Sequence, residues 1–250
     1  MKKIVLSGCN GVMGREISAC VKGREDCTIV AGIDLHTDLP NDFPVVTKPE
    51  DIPCDADVVI DFSHPSVLSP LLDYALKKNL PVVLCTTGYS KDQVEELKKA
   101  SEQIPVFYSR NMSLGINLLI ELCKKAAFVL GDQFDIEVIE KHHNKKIDAP
   151  SGTALMIADH ISSVMPEEMR YVYDRHSQRK KREKQEIGLH AVRGGTIVGE
   201  HEVVFAGHHE VLSISHSAQS KEVFATGSIN AAVYLANQPA GLYDMSDLLK

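Results

Sequence analysis

Three things are missing from this 250-residue chain, and each absence narrows its function. It has no basic field, since 27 Lys and Arg stand against 34 Asp and Glu for a net charge of −7, which argues against a nucleic-acid partner. It has no apolar run near the roughly 18 to 20 residues a bilayer span needs, so no membrane partner is expected. It has no Cys-x-x-Cys pair, which argues against a structural zinc site, and no metal site is read elsewhere. The six cysteines are scattered and read as reduced thiols of a cytoplasmic protein. The opening Met1-Lys2-Lys3 resembles a signal n-region, but the apolar stretch after it stops at Ser7-Gly8, too short for an h-region. Tryptophan is absent, and composition is otherwise ordinary, with 44% hydrophobic and 24% charged residues.

The first part of the chain alternates strand and helix patterns. Apolar strands are expected at 3–7, 28–33, 57–62, 81–86 and 105–108. Helices are expected at 12–22, at 66–78 and from Ser90, where Gln93 completes a capping box. This rhythm predicts a parallel, doubly wound sheet. The second part differs: a helix over 113–130 stopped by Gly131, a strand over 134–140, and a helix over 151–165 closed before Pro166. Strands follow at 189–192, 196–205 and 211–217, then a helix at 222–236. The dense charge run at 178–185 has no apolar face and reads as a solvated loop. The expected class is therefore α/β. A Rossmann-like parallel sheet domain occupies 1–112, with 222–250 returning to it, and an α+β domain with an open mixed sheet spans 113–221.

A glycine loop, Gly8-Cys9-Asn10-Gly11-Val12-Met13-Gly14, follows the first strand and opens the first helix. Glycines permit the tight turn and close approach of backbone to a pyrophosphate, which the helix N-terminus attracts. Its spacing is G-x-x-G-x-x-G rather than the commoner G-x-G-x-x-G. Asp34 ends the second strand, 20 residues after Gly14, where an acid meets the adenosine ribose hydroxyls. With no arginine beside it, Asp34 favours NADH over NADPH, although His36 or Arg15 offers a contact for a 2′-phosphate. Cys85-Thr86-Thr87 and Ser109-Arg110-Asn111-Met112 end two further strands, where ligands of open α/β sheets gather. Ordinary strand-to-helix turns would look the same.

The densest chemistry lies in Glu140-Lys-His-His-Asn-Lys-Lys-Ile-Asp-Ala-Pro-Ser-Gly-Thr-Ala154. His142 and His143 follow a strand and point to opposite sides, with Lys146 near enough to share a pocket with one of them. Ser151 is an N-cap candidate, and the N–H groups of Gly152 and Thr153 suit a carboxylate. Reducing a conjugated C=C–C=N system needs hydride at one carbon and a proton at the next, which an imidazole can supply. A nearby cation steadies a carboxylate or the developing charge. A polar surface loop is the plainer alternative.

These residues resemble the dihydrodipicolinate reductase family of lysine and diaminopimelate biosynthesis. The signature E-x-H-H-x-x-K-x-D-x-P-S-G-T-A stands complete from Glu140 to Ala154. The glycine loop, Thr86-Thr87-Gly88, the R-G-G-x-I-V-G-E-H stretch from Arg193 to His201 and the ending G-L-Y-D-M from Gly241 to Met245 are also similar. The resemblance implies reduction of a cyclic hydroxylated dicarboxylate by NADH or NADPH with loss of water, in a homotetramer. It implies His142 as proton donor, Lys146 as its partner, and His143, Gly152 and Thr153 as dicarboxylate ligands, beside Ser151. Its nucleotide contacts map onto Gly8 to Met13, Asp34, Cys85 to Thr87 and Ser109 to Met112. Three departures stand out: Cys85 for a glycine, Ser109-Arg110 for an alanine pair, and Lys221 where arginine is expected.

Two rivals remain. A thiol-based dehydrogenase would need a nucleophilic cysteine, but Cys85 has no histidine near it in sequence and Cys123 lies in a helix. A dinucleotide sensor would need the glycine loop and have no use for the histidine–lysine segment.

Overall fold

The computed structural model describes residues 1–249, in two compact units. The first comprises Met1–Leu114 and the chain from Lys221 onward; the second is Gly115–Ser220.

The first unit is a seven-stranded parallel sheet in the order β12-β6-β5-β4-β1-β2-β3. Its strands are β1 (Lys2–Ser7), β2 (Cys27–Ile33), β3 (Val45–Val46), β4 (Val58–Asp61), β5 (Val82–Leu84), β6 (Pro105–Tyr108) and β12 (Gly241–Tyr243). Helices cover both faces, as fully buried apolar strands require. On one face α1 (Val12–Val21) and α6 (Glu222–Leu235) pack Ile17, Val21, Ile229 and Leu235 against Ile4, Leu6, Val58 and Phe107. On the other, α2 (Leu68–Lys78) and α3 (Lys91–Ser101) pack Leu71, Leu72 and Leu97 against Val5, Val59 and Val82. The strand order reverses between β1 and β4, which places a ligand crevice beyond their carboxyl ends. Both capping-box hydrogen bonds of α3 are present, from Gln93 N to Ser90 Oγ at 3.2 Å and from Ser90 N to Gln93 Oε1 at 3.0 Å.

The second unit holds a five-stranded mixed sheet in the order β11-β10-β7-β9-β8. Its strands are β7 (Asp135–His142), β8 (Arg170–Val172), β9 (Glu186–Arg193), β10 (Gly199–Ala206) and β11 (Val211–Ala218). Two helices, α4 (Leu114–Leu130) and α5 (Gly152–Ser162), cover one face. There Ile120, Cys123 and Ile157 meet Ile136, Val138, Ile187 and Phe205.

The elements depart from the sequence pattern where strands are short or begin with a charge. β3, β8 and β12 have two or three residues each, too few to show a period. β9 begins at Glu186, three residues before the expected start, because Arg170 and Arg175 neutralise its buried carboxylate at 2.7 and 2.9 Å. The run at 178–185 has no regular structure, and most of it is exposed. Arg182 is the exception, bonded to Asp135 and Glu137 at 2.9 and 3.0 Å.

Gly14 lies where α1 passes closest to the glycine loop. A Cβ there would sit 2.5 Å from the carbonyl oxygen of Cys9 and collide with that of Gly8. Gly14→Ala should destabilise the protein by about 1–3 kcal/mol through overpacking, read from the urea midpoint. An unchanged midpoint would show that the loop adjusts freely.

Candidate active site

The glycine loop turns because Gly8 adopts φ +76°, beneath which a Cβ would press within 2.6 Å of the Phe62 carbonyl oxygen. Gly11 then N-caps α1 with no side-chain cap, and no acid stands in the helix's first turn. The positive helix end is thus left for an external anion, which fits the pyrophosphate of a dinucleotide. Asp34 faces the same loop: Oδ2 accepts the Asn10 N–H and Oδ1 the His36 N–H, each at 3.0 Å. Arg15 Nε donates to the Asn10 carbonyl at 3.2 Å. A groove of about 740 Å³ runs beside these groups, lined by Asn10, Arg15, Asn41 and Phe43 among others.

Three expected contact residues turn their side chains inward and offer backbone only. Cys9 is fully buried, its Sγ against Gly32. Met112 is buried, and its carbonyl lies against Gly227, where α6 has no room for a Cβ. Cys85 is buried, and burial with Asp61 nearby pushes its thiol well up. Burial likewise pushes the Cys123 thiol up to about 12, so neither cysteine is a nucleophile and the thiol-based rival loses its reactive group. Ser109 and Asn111 form a self-bonded turn: the Ser109 hydroxyl donates to the Asn111 carbonyl at 2.9 Å, and Asn111 Oδ1 accepts the Ser113 N–H at 2.9 Å. Thr87 and Arg110 are exposed.

In the second unit the histidine–lysine segment is organised by one carboxylate. Glu140 is wholly buried on β7. Arg193, ending β9, grips it bidentately at 2.7 Å and 2.7 Å, and also donates to the Asp148 carbonyl at 2.6 Å. The Ser151 N–H donates to Glu140 Oε1 at 3.0 Å, which ties the head of α5 to the strand. His142 Nδ1 lies 2.6 Å from Glu140 Oε2. Burial raises the Glu140 pKa, but Arg193 and His142 together hold it below the usual carboxylate range. An ionised Glu140 fixes the proton on His142 Nδ1 and leaves Nε2 as the working atom. Nε2 lies against Gly199, where a Cβ would come within 3.2 Å.

Lys146 pairs with Asp148 at 2.8 Å, its N–H bonding the His143 carbonyl at 3.1 Å. Burial lowers the pKa of His142, Glu140 pulls it back up, and Lys146 and Arg193 press it down again, leaving it below its ordinary value. His143 buries an Nδ1 with no protein partner, an opening for a ligand. Ser151 is buried and spends its hydroxyl on the Ala154 N–H at 3.1 Å, so it shapes the helix start and its side chain turns away from solvent. Gly152 is exposed, and a Cβ there meets nothing within 4 Å.

Asp61, Arg193 and His201 carry no role in the sequence reading. His201 Nε2 lies 3.2 Å from Ser151 Oγ, and its ring meets His142 edge-on at 5.3 Å. Burial and the neighbouring His142 push His201 down to about 3. Arg193 and His201 stood in a motif but formed no local pattern; only their register against β7 reveals them. Among the described residues no cluster of three or more His, Cys, Asp or Glu could hold a metal ion, and no helix is long and apolar enough to cross a membrane.

A doubly wound parallel sheet with a glycine loop in one unit and a clamped imidazole beside a helix start in the other suit a class, the dinucleotide-dependent reductases. Two family models agree: "Dihydrodipicolinate reductase, N-terminus" matches residues 2–112, and "Dihydrodipicolinate reductase, C-terminus" matches residues 115–249. The 4-hydroxy-tetrahydrodipicolinate reductase of Caldanaerobacter subterraneus subsp. tengcongensis is 52% identical over 250 residues, covering 100% of this chain and 99% of that protein. That of Clostridium tetani is 49% identical over 249 residues, covering 100% and 97%. The chain belongs to the dihydrodipicolinate reductase family. Its fold is that of the dipicolinate-bound dihydrodipicolinate reductase from Paenisporosarcina sp. TG-14, at TM-score 0.81 and 24% identity over 98% of this chain and 97% of that one.

Burial holds both His142 and His201 below the ordinary histidine value near 6.5 that the unfolded chain shows. Their folded pKa values are depressed, so the unfolded chain binds more protons below that pH and stability falls on acidification. The urea midpoint should therefore drop as pH falls from about 6.5 towards about 3, the folded value of His201, and His201→Gln should flatten the drop. An equally steep fall in the variant would remove His201 from the account. Glu140→Gln should move the His142 NMR titration to lower pH, because it removes the charge that pulls the imidazole up.

Proposed function

We propose that the chain reduces 4-hydroxy-tetrahydrodipicolinate to tetrahydrodipicolinate and water with NADH or NADPH, on the route to diaminopimelate and lysine. The observation that carries this is His142, clamped by Glu140 and flanked by Lys146 at the head of α5, in a chain matched end to end by reductases of that name.

His142 is the proton donor, with Nε2 as the donating atom once the ring is charged. His143, Gly152 and Thr153 take the dicarboxylate, Ser151 holds the helix start in place, and Lys146 steadies negative charge. Loss of the hydroxyl as water gives a conjugated C=C–C=N system. A coenzyme held at the glycine loop and Asp34 would supply hydride for one carbon, and the adjacent carbon takes its proton from His142. A diacid beside Lys146 and Arg193 offsets the two cations that depress His142 and raises its pKa. Protonation is thereby coupled to substrate binding.

Gly8, Cys9, Asn10, Gly11, Val12 and Met13 are assigned to the pyrophosphate turn and Asp34 to the adenosine ribose. Cys85, Thr86, Thr87, Ser109, Arg110, Asn111 and Met112 are assigned to the nicotinamide half. Asp34 repels a 2′-phosphate and favours NADH, while Arg15 beside the groove leaves NADPH a place. The six free cysteines suit the cytoplasm. A homotetramer is supported by the sheet face opposite α4 and α5, which carries Ile139, Val192, Val204 and Val211, of which Val192 and Val211 are exposed. Sedimentation should give the mass of four chains.

His142→Gln should lower turnover about 10²–10⁴-fold and leave the NADH dissociation constant unchanged. Unchanged turnover would refute the donor role and favour a dinucleotide sensor. Dipicolinate binding near pH 7 should take up protons from the buffer, measured with an indicator dye, and His142→Gln should abolish the uptake. Asp34→Ala should weaken NADH about tenfold or more, as the loss of hydrogen bonds to a charged group does. An unmoved constant would remove Asp34 from the ribose.

A further inference from the structure

Asp61 closes β4 at the point where the strand order reverses, with only 1% of its surface exposed, and no step above uses it. Its carboxylate gathers hydroxyls from two loops. Ser63, just beyond β4, donates to Oδ1 at 2.6 Å, and Thr86, just beyond β5, donates to Oδ2 at 2.6 Å. The Tyr89 hydroxyl reaches Oδ2 at 3.4 Å. The backbone of the same residue is tied in as well, its carbonyl accepting the Cys85 N–H at 2.9 Å. The next residue, Phe62, donates its N–H to Ser7 O at 3.0 Å and sets its own carbonyl under Gly8. Asp61 and Phe62 together therefore join the ends of β1, β4 and β5.

A buried carboxylate is a costly way to make a strand end. Its neighbours on β4, Val59 and Ile60, are apolar and fully buried, and an apolar side chain would continue that core without desolvating a charge. What an aspartate adds is direction: two short, charge-assisted hydrogen bonds fix the hydroxyls of two separate loops relative to each other. Beyond Thr86, Thr87 and Gly88 are exposed, so the fixed hydroxyl sits directly behind the surface offered to a ligand. In a doubly wound sheet the strands from β4 onward form the mononucleotide half opposite the adenosine half.

We propose that Asp61 is a positioning residue for the coenzyme: by holding Ser63 and Thr86 it sets the loops after β4 and β5 that receive the nicotinamide half of the dinucleotide. The inference rests on the dinucleotide reading above. The test compares NADH with ADP, which lacks the nicotinamide half, by titrating each into the whole protein. Asp61→Asn should weaken NADH about tenfold, the effect of degrading a charge-assisted hydrogen bond, and leave ADP within about twofold. Thr86→Val should do the same, and the double variant should be no worse than the weaker-binding single one, because both remove one shared interaction. Where Asp61→Asn does not fold, Thr86→Val and Ser63→Ala carry the test with the carboxylate in place. NADH binding unchanged in the folded variants, or NADH and ADP weakened equally, overturns the inference while the dinucleotide reading stands. A wild-type protein that binds neither ligand overturns both.

Discussion

The second unit depends on one buried anion. Glu140 brings together the end of β9 through Arg193, the head of α5 through the Ser151 amide, and the imidazole of His142. β7 and α5 follow one another in the chain, but Arg193 lies 53 residues beyond Glu140. An uncompensated carboxylate with no exposure would cost several kcal/mol, so all the partners must arrive together for the strand to accept it. The same contacts that pay for its burial orient the ring of His142. Fold and chemistry in this unit are thus satisfied by one set of hydrogen bonds.

The two helix starts assigned to anions are built in opposite ways. α1 begins at a glycine with no side-chain cap and no acid in its first turn, so its amides are left open to an external group. α5 begins at Ser151, whose hydroxyl takes the Ala154 amide and whose backbone N–H is spent on Glu140. A pyrophosphate is large and doubly charged, and it suits the uncapped end. A single carboxylate suits the capped one, where Gly152 at the first helical position leaves the approach clear. The capped start also holds the first turn of the helix in place beside His142.

What was legible in the sequence is what the local chain determines. Gly8 and Gly14 are recognisable because positive φ and close approach are demands on single residues, and the strand before them is a continuous apolar run. Ser90 and Gln93 are recognisable because the two residues of a capping box lie three positions apart. The alternation of β7 showed one face, but not what stands opposite it. Arg193 is 53 residues from Glu140 and His201 is 50 from Ser151, so nothing local marks either partnership. Asp61 reads as an ordinary strand end, because its partners Ser63 and Thr86 flank different helices. The charged run at 178–185 looked uniform, yet Arg182 alone among its residues is held by Glu137 and Asp135 together.

Glu137 and Glu140 lie three apart on β7 and therefore on opposite faces of the sheet. Glu140 faces the helices and is met by Arg193; Glu137 faces away and is met by Arg175, Arg182 and His190 at 3.1, 3.0 and 2.7 Å. Gly188, paired with Glu137 across β9, has no side chain because the Glu137 carboxylate fills that space. Buried ion pairs add little net stability over apolar packing, so stability alone does not explain why one strand carries two such clusters. Register does. Sliding β7 by one residue against β9 would turn Glu140 away from the helices and Glu137 into the apolar core, each without its arginine. An apolar strand would tolerate that slip at the cost of some packing; this one would bury Glu137 unpaired in the core and strip Glu140 of its arginine. The correct register is the one that sets His142 opposite Arg193 at the end of the ladder, so the charges that specify pairing also place the imidazole of His142.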